Sequence, residues 1–102
     1  MRIIKASFLK SASGEYPRAA EGVAAWVATV RAAQWKNPAD MKRSFPGVDP
    51  AKVKSKRTVY VFNIRRNEYR LIAAVHFNRQ IVFTLRFLTH AEYDLNLWKK
   101  QL

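Results

Sequence analysis

Apolar positions along this chain change their period once, near residue 58. Before it they recur at helical spacing. Val23, Trp26, Val27, Val30 and Ala33 fall on one face of a helix predicted over residues 18–35. Arg18, Arg31 and Lys36 lie on or near its polar side, and Gly22 weakens its first turns. Residues 2–10 fit a short helix with Ile3, Ile4, Phe8 and Leu9 as its apolar members. Residues 11–17, with small side chains, Gly14 and Pro17, read as a linker. Asn37 and Pro38 have the chemistry of a helix start, a side-chain cap followed by a residue pre-set for the first turn. That helix is brief, because Phe45-Pro46-Gly47 and Asp49-Pro50 follow as turns. Residues 51–57 form a lysine-rich loop carrying Lys52, Lys54, Lys56 and Arg57, either simply solvated or an arm for phosphates.

From residue 58 the pattern is β-branched and aromatic. Residues 58–64, 69–77 and 81–88, broken at Arg66-Asn67 and Asn78-Arg79-Gln80, predict an antiparallel three-stranded meander. A two-residue turn at Arg66-Asn67 sets Arg65 against Glu68, Ile64 opposite Tyr69, Asn63 opposite Arg70 and Phe62 opposite Leu71. One face then holds Tyr60, Phe62, Ile64, Tyr69, Leu71, Ala73, Val75 and Phe77, and is the core face. The other carries Asn63, Arg65, Glu68, Arg70 and His76 among apolar residues. A three-residue loop over 78–80 adds Ile81, Phe83, Leu85 and Phe87 to the core and leaves Thr84 and Arg86 on the polar face. A two-residue loop would bury Arg86 and is rejected. The expected fold is α+β: a small antiparallel sheet with the N-terminal helices packed on one face, in one domain over 1–102. On the open face Arg70 and Arg86 are either a phosphate clamp or two solvated arginines.

Charge narrows the partner. Lys and Arg number 19 against 7 Asp and Glu, a net +12, and so much self-repulsion in a small chain points to a polyanion (nucleic acid, an acidic protein or an anionic membrane) rather than to a merely solvated basic surface. The chain has no cysteine, which excludes disulfides, thiolate metal sites and cysteine nucleophiles. No apolar run approaches the ~18 residues of a membrane span, and the N-terminus turns polar too soon for a signal segment. A cytoplasmic protein is expected, with no membrane contact. Two histidines far apart give no metal motif, 3 glycines give no phosphate loop, and no serine has nucleophile context. Against this background Thr89-His90-Ala91-Glu92-Tyr93-Asp94 stands out. It puts a histidine, which moves protons near neutral pH, with a tyrosine and two carboxylates near the end of a strongly basic chain whose surface attracts phosphates, and together these suggest an enzyme that cuts RNA.

Three segments carry a resemblance to a known family. They are Ala33-Gln34-Trp35-Lys36-Asn37-Pro38-Ala39-Asp40-Met41-Lys42, the pair Val61-Phe62-Asn63-Ile64 and Asn67-Glu68-Tyr69-Arg70-Leu71-Ile72-Ala73, and the run from Thr89 to Asp94. In order and spacing they resemble the "A-x-W-x-x-P-A-D-hydrophobic-K", "VFNI…GNKYRLIA" and "THAEYD" motifs of the HigB-type toxins of bacterial toxin–antitoxin pairs, within the RelE-like messenger-RNA endonucleases. The resemblance spans almost the whole chain. It implies a RelE-like fold, cleavage of messenger RNA on the translating ribosome, and a HigA-like helix-turn-helix antitoxin. Arg66 stands where the family has glycine in the hairpin turn, and Glu68 where it has lysine.

A metal-independent RNase uses the substrate's 2′-hydroxyl as nucleophile. It needs a proton acceptor, a proton donor and cations for the charge on phosphorus, and no cofactor. His90 is the expected acid or base. Arg70 and Arg86 are expected to stabilise the phosphorane, with Tyr93 stacking on a base or positioning the phosphate, since a phenol titrating near pH ~10 is a poor base. Asp94 could orient His90 or Arg70, or cap the turn after the strand. Asn63, Arg65, Arg66, Asn67, Lys54, Lys56, Arg57 and His76 are expected RNA contacts, with His76 more structural than catalytic. The competing reading is a non-catalytic basic module, a degenerate toxin that keeps only RNA or antitoxin binding.

Overall fold

The computed structural model describes all 102 residues. In chain order they form β1 (Arg2–Ile4), α1 (Ala6–Glu15), a 3-10 turn (Pro17–Ala19), α2 (Ala20–Ala32), α3 (Pro38–Ser44), β2 (Asp49–Lys52), β3 (Thr58–Ile64), β4 (Tyr69–His76), a second 3-10 turn (Phe77–Arg79), β5 (Ile81–Thr89), α4 (His90–Asp94) and α5 (Leu97–Gln101). The class is α+β, but the sheet has five strands rather than three. Their order is β1-β5-β4-β3-β2, all neighbours antiparallel except β1 and β5. No helix is long and apolar enough to cross a membrane.

The extra strands are edge strands, recruited by the meander's unpaired backbone. Residues 2–10 are therefore not one helix. Ile3 and Ile4 pair with Val82 and Phe83, Lys5 turns the chain at φ 66°, and the helix begins at Ala6. The expected linker over 11–17 is instead mostly the end of α1. Ala12 is buried, and the Ser13 hydroxyl donates to the Leu9 carbonyl at 3.0 Å, which keeps a poor helix former inside the helix. The basic loop over 51–57 begins as β2, which lays Ala51 and Lys52 against Val59 and Thr58. Asn37 caps α3 as expected, its side chain accepting from the Asp40 amide at 2.9 Å, with Pro38 at the first position.

The first hairpin pairs as predicted: Ile64 with Tyr69, Asn63 with Arg70 and Phe62 with Leu71. The second does not. Its loop has four residues, closed by Gln80 in the left-handed region at φ 55°, so His76 faces Ile81. A β-bulge at Leu85 then restores the register, and Ile72 faces Arg86 as the pattern required. The consequence for faces is specific. Ile81, Phe83 and Leu85 are not in the helix-side core. Val82 and Thr84 are, both almost fully buried, and the Thr84 hydroxyl lies within hydrogen-bond reach of the Ile4 and Lys5 carbonyls at 3.3 and 3.1 Å.

Both faces of the sheet are covered. On one, α1 and α2 pack Leu9, Val23, Trp26 and Val30 against Phe62, Leu71, Ala73 and Val82. Trp26 meets Phe62 edge-on at 5.4 Å, and Phe45 does so from the other side at 5.1 Å. On the other face α5 seats Trp98 on Val53, Val59, Val61 and Ile72. Burial raises the phenol pKa of Tyr60, and that of Tyr16 with further help from Glu92 and Glu15, so both rings pack as neutral groups.

Gly22 is explained by this packing rather than by propensity. A Cβ there would meet Ile64 Cγ2 at 2.9 Å, with the Arg65 amide nitrogen at 3.4 Å. Gly22→Ala is expected to lose about 1 to 2 kcal/mol through overpacking, although alanine is the better helix former by ~1 kcal/mol. Urea denaturation decides the sign.

Candidate active site

The run from Thr89 to Asp94 is first of all a helix start. Thr89 and Glu92 form a capping box: the Thr89 hydroxyl accepts from the Glu92 amide at 3.2 Å, and the Glu92 carboxylate accepts from the Thr89 amide at 2.9 Å. Glu92 is thereby occupied by structure. The helix begins at His90, so Tyr93 and Asp94 follow it at the spacings of one helical side. The first amide of α4 also needs a partner. It donates to the Glu68 carbonyl at 2.9 Å, which ties α4 to the β3–β4 turn.

That turn also holds Arg70. One guanidinium nitrogen, Nη1, donates to the Asn67 carbonyl at 2.8 Å, and Nη2 stands 3.4 Å from His90 Nδ1. The guanidinium lies over the Tyr93 ring, 5.2 Å from its centroid, and Tyr93 stacks on Trp98 at 5.3 Å. On the far side of His90, Nε2 is 3.3 Å from Asp94 Oδ2. A guanidinium has donors only. The nitrogen facing it must be the acceptor, so neutral His90 carries its proton on Nε2, toward Asp94. The arrangement is a relay of cation, imidazole and carboxylate, with half of the imidazole open to solvent. It can move a proton at Nδ1 beside a fixed positive charge.

The turn itself is strained. Arg65 and Arg66 both adopt left-handed backbone, φ 50° and 56°, while Asn67 does not. The positive-φ pair thus sits one residue earlier than the two-residue turn expected at Arg66-Asn67. Each such residue costs about 1 kcal/mol or more. Glu68 offsets part of this, bridging Arg18 at 3.1 Å and Arg65 at 3.2 Å, while Arg65 also donates to the Arg18 carbonyl. Glu68 and Arg18 were not foreseen in this role; the only sequence signal is a carboxylate three residues after an arginine in a turn.

The other predicted site residues are spread along the face. Asn63 lies directly across from Arg70, its amide donating to the Gly47 carbonyl at 3.4 Å. Arg86 shares the face but folds back onto the Leu85 carbonyl at 2.7 Å and does not touch His90. Arg65 is held by Glu68, and Arg66 is exposed at the turn. Asn67 contributes its carbonyl rather than its amide. Lys54, Lys56, Arg57 and His76 lie beyond α5. There the Lys54 amide donates to the Lys99 carbonyl, and exposed His76 packs edge-on against Phe83 at 5.4 Å. No group of three or more His, Asp or Glu side chains is arranged to hold a metal ion.

A family model described as "HigB_toxin, RelE-like toxic component of a toxin-antitoxin system" matches residues 19–96. The chain is similar to the mRNA interferase toxin HigB of Escherichia coli strain K12, with 35% identity over 94 residues, 92% of this chain and 88% of the relative. The mRNA interferase HigB of Shigella flexneri gives the same figures, and that of E. coli O6:H1 strain CFT073 is 28% identical over 92% of this chain and 89% of its own length.

The turn supplies a two-armed test. Arg66→Gly is expected to raise stability by about 1 kcal/mol by removing a left-handed non-glycine residue. Glu68→Ala is expected to lower it by no more than about 1 kcal/mol, since its ion pairs are half-exposed. It should nevertheless speed hydrogen exchange of the His90 amide, read by NMR, because the carbonyl that accepts that amide sits in the loosened turn.

Proposed function

Because this chain belongs to the HigB toxin family, the RelE-like toxic components of toxin–antitoxin systems, we propose that it is an endoribonuclease that cleaves messenger RNA. The fold is read as RelE-like and the 102 residues as one toxin domain. What carries the reading is the convergence of Arg70, His90, Tyr93 and Asp94 where β4 begins and β5 ends beside α4.

The substrate's 2′-oxygen attacks the adjacent phosphorus and the bond to the 5′-oxygen breaks, leaving a 2′,3′-cyclic phosphate and a 5′-hydroxyl. His90 takes the 2′ proton at Nδ1, and the departing oxygen takes a proton from solvent. A bound phosphate draws the Arg70 guanidinium onto itself, a better acceptor than a neutral imidazole, and so uncovers Nδ1 at the moment it is needed. Asp94 holds the Nε2 proton and stabilises the imidazolium, the role of the carboxylate in a hydrolase triad. Arg86 swings from its own strand carbonyl to the phosphate. Tyr93, stacked on Trp98 and lying under the Arg70 guanidinium, positions Arg70 rather than stacking on a base.

Asn63, Arg66 and the cations of the β2–β3 turn, Lys54, Lys56 and Arg57, extend the RNA track, with Arg65 and Asn67 at the hairpin and His76 at the far end. The work is done on the translating ribosome, and the partner that silences it is a HigA-like helix-turn-helix antitoxin. The degenerate-toxin reading drew on Arg66 and Glu68. That carboxylate is engaged by Arg18 and Arg65, which weighs against its repelling RNA.

His90→Ala and Arg70→Ala are each expected to cut messenger-RNA cleavage by about 100-fold or more, mapped by end sequencing after induction, with antitoxin binding retained and the protein still folded. Arg86→Ala should cost less than Arg70→Ala, having no contact with His90. Undiminished cleavage by the His90 and Arg70 variants would sink the site assignment.

A further inference from the structure

The sheet face that ends at Arg70 continues on the other side of α5, and what lies there is not part of the catalytic relay. Along β4 the side chains on this face are Arg70, Ile72, Ala74 and His76. Trp98 of α5 covers Ile72. Beyond it opens a cavity of about 340 Å³, floored by Val59, Ala74, Phe83 and Leu85 and rimmed by Arg57, His76 and Arg79. No Asp or Glu lines it. His76 is six steps along β4 from Arg70, about 20 Å at the rise of a β-strand.

We propose that this cavity is a second nucleotide subsite, taking one base and its phosphate from the same RNA strand that is cut at His90. The proposal rests on the catalytic reading above for which strand is bound. Three observations carry it. The cavity has the size and character of a small-ligand site, an apolar floor with a few polar groups at the rim. Its charged side chains are two arginines, Arg57 and Arg79, beside the His76 imidazole, which suits a group that is apolar in body and anionic at one end; a base with its phosphate is such a group. The third observation is continuity. Lys99 stands 5.5 Å from the centre of the Trp98 ring, which covers Ile72 between Arg70 and Ala74, and adds a cation along the face that runs from Arg70 to Arg79. At a stacked rise of about 3.4 Å, the gap accommodates at most about six nucleotides.

The bulge at Leu85 is what builds this floor. It puts Leu85 on the same face as Arg86 and, with the four-residue loop, turns Phe83 outward from the helix-side core. His76 stands edge-on to Phe83, so an imidazole and a phenyl ring are available at the floor and rim for a base to pack on.

The test uses single-stranded RNAs of about three and about twelve nucleotides, each with a 2′-deoxy sugar at the cleavage position so that binding is read without turnover, by fluorescence anisotropy. For the unaltered protein the longer RNA is expected to bind about ten-fold more tightly. Ala74→Phe fills the cavity and Arg79→Ala removes one rim cation; each should cut that gain to about two-fold and leave the short RNA unaffected. Arg79→Ala lies in an exposed turn, so it remains informative if Ala74→Phe fails to fold. An unaltered protein that gains nothing from length, or a gain that survives both substitutions, overturns the proposal. If the gain survives while binding of a glutamate-rich peptide is lost, the cavity is a protein-docking site and the proposal is again overturned. A gain abolished by both substitutions, alongside undiminished cleavage by His90→Ala, would leave the subsite standing and remove the catalytic assignment instead.

Discussion

The β4–β5 pairing, with its single bulge, is the constraint on which the other features depend. Leu71, Ile72 and Ala73 of β4 are fully buried, and each β5 residue opposite them must face either the helical layer or the layer of α5. A strand offers only alternation, so one extra residue reverses every side chain beyond it. Without Leu85 as that residue, Arg86 would point into the helix-side core and Phe87 would leave it. Thr89 would then no longer face Tyr69. The helix start that Thr89 caps would be displaced, and with it His90. A local irregularity in one strand thus sets the position of the proposed proton-transfer group and the orientation of its neighbouring arginine.

Charge is distributed with a similar economy. Only 7 acidic residues face 19 lysines and arginines, and several of the acids hold structure together. Asp40 binds Arg43 and the Lys36 amide, Glu92 closes the capping box, and Glu68 ties the strained turn to α2's approach through Arg18. Few are left to neutralise the sheet face. A surface so unbalanced opposes compaction, and what offsets it is burial on both sides of the sheet. The second small core around Trp98 stabilises the very face that collects the cations.

Much of this was legible from the chain. The strand pattern from residue 58 fixes the first hairpin residue by residue, because both turn and alternation are local. Asn37-Pro38 announces α3 for the same reason. The edge strands were not legible: Arg2 to Ile4 is too short for a period, and its conformation is set by the unpaired backbone of β5, eighty residues away. The bulge was hidden because Leu85 is apolar and suits either face. The requirement that Arg86 avoid the core nevertheless placed residues 86–88 correctly, since the long loop and the bulge cancel there. Of the site, His90, Tyr93 and Arg70 were readable as chemistry. Their contact was not, since it depends on the Glu68 and Asn67 carbonyls, and backbone acceptors leave no trace in residue identity. The matched region of the family model, residues 19–96, includes all of these groups.

The free site is arranged so that every strong group already has a partner. Arg70 is shared among the Asn67 carbonyl, the Tyr93 ring and the His90 lone pair. A cation–π contact at a partly exposed site contributes about 0.5 to 1 kcal/mol, and a single hydrogen bond to a charged group about 1.5 to 3 kcal/mol. In the proposed mechanism a phosphate diester replaces these with charge-assisted bonds to the same guanidinium, so the exchange is near balance until charge grows on the phosphoryl oxygens. Interactions that strengthen only as that charge develops lower the barrier rather than deepen the bound state. On the same proposal His90 experiences the exchange in reverse. It loses its cationic donor just as it gains a proton, and the like-charge contact that a protonated imidazole would make with Arg70 is relieved by the phosphate between them. A site satisfied at rest is in this way biased toward reaction only when a phosphodiester enters it.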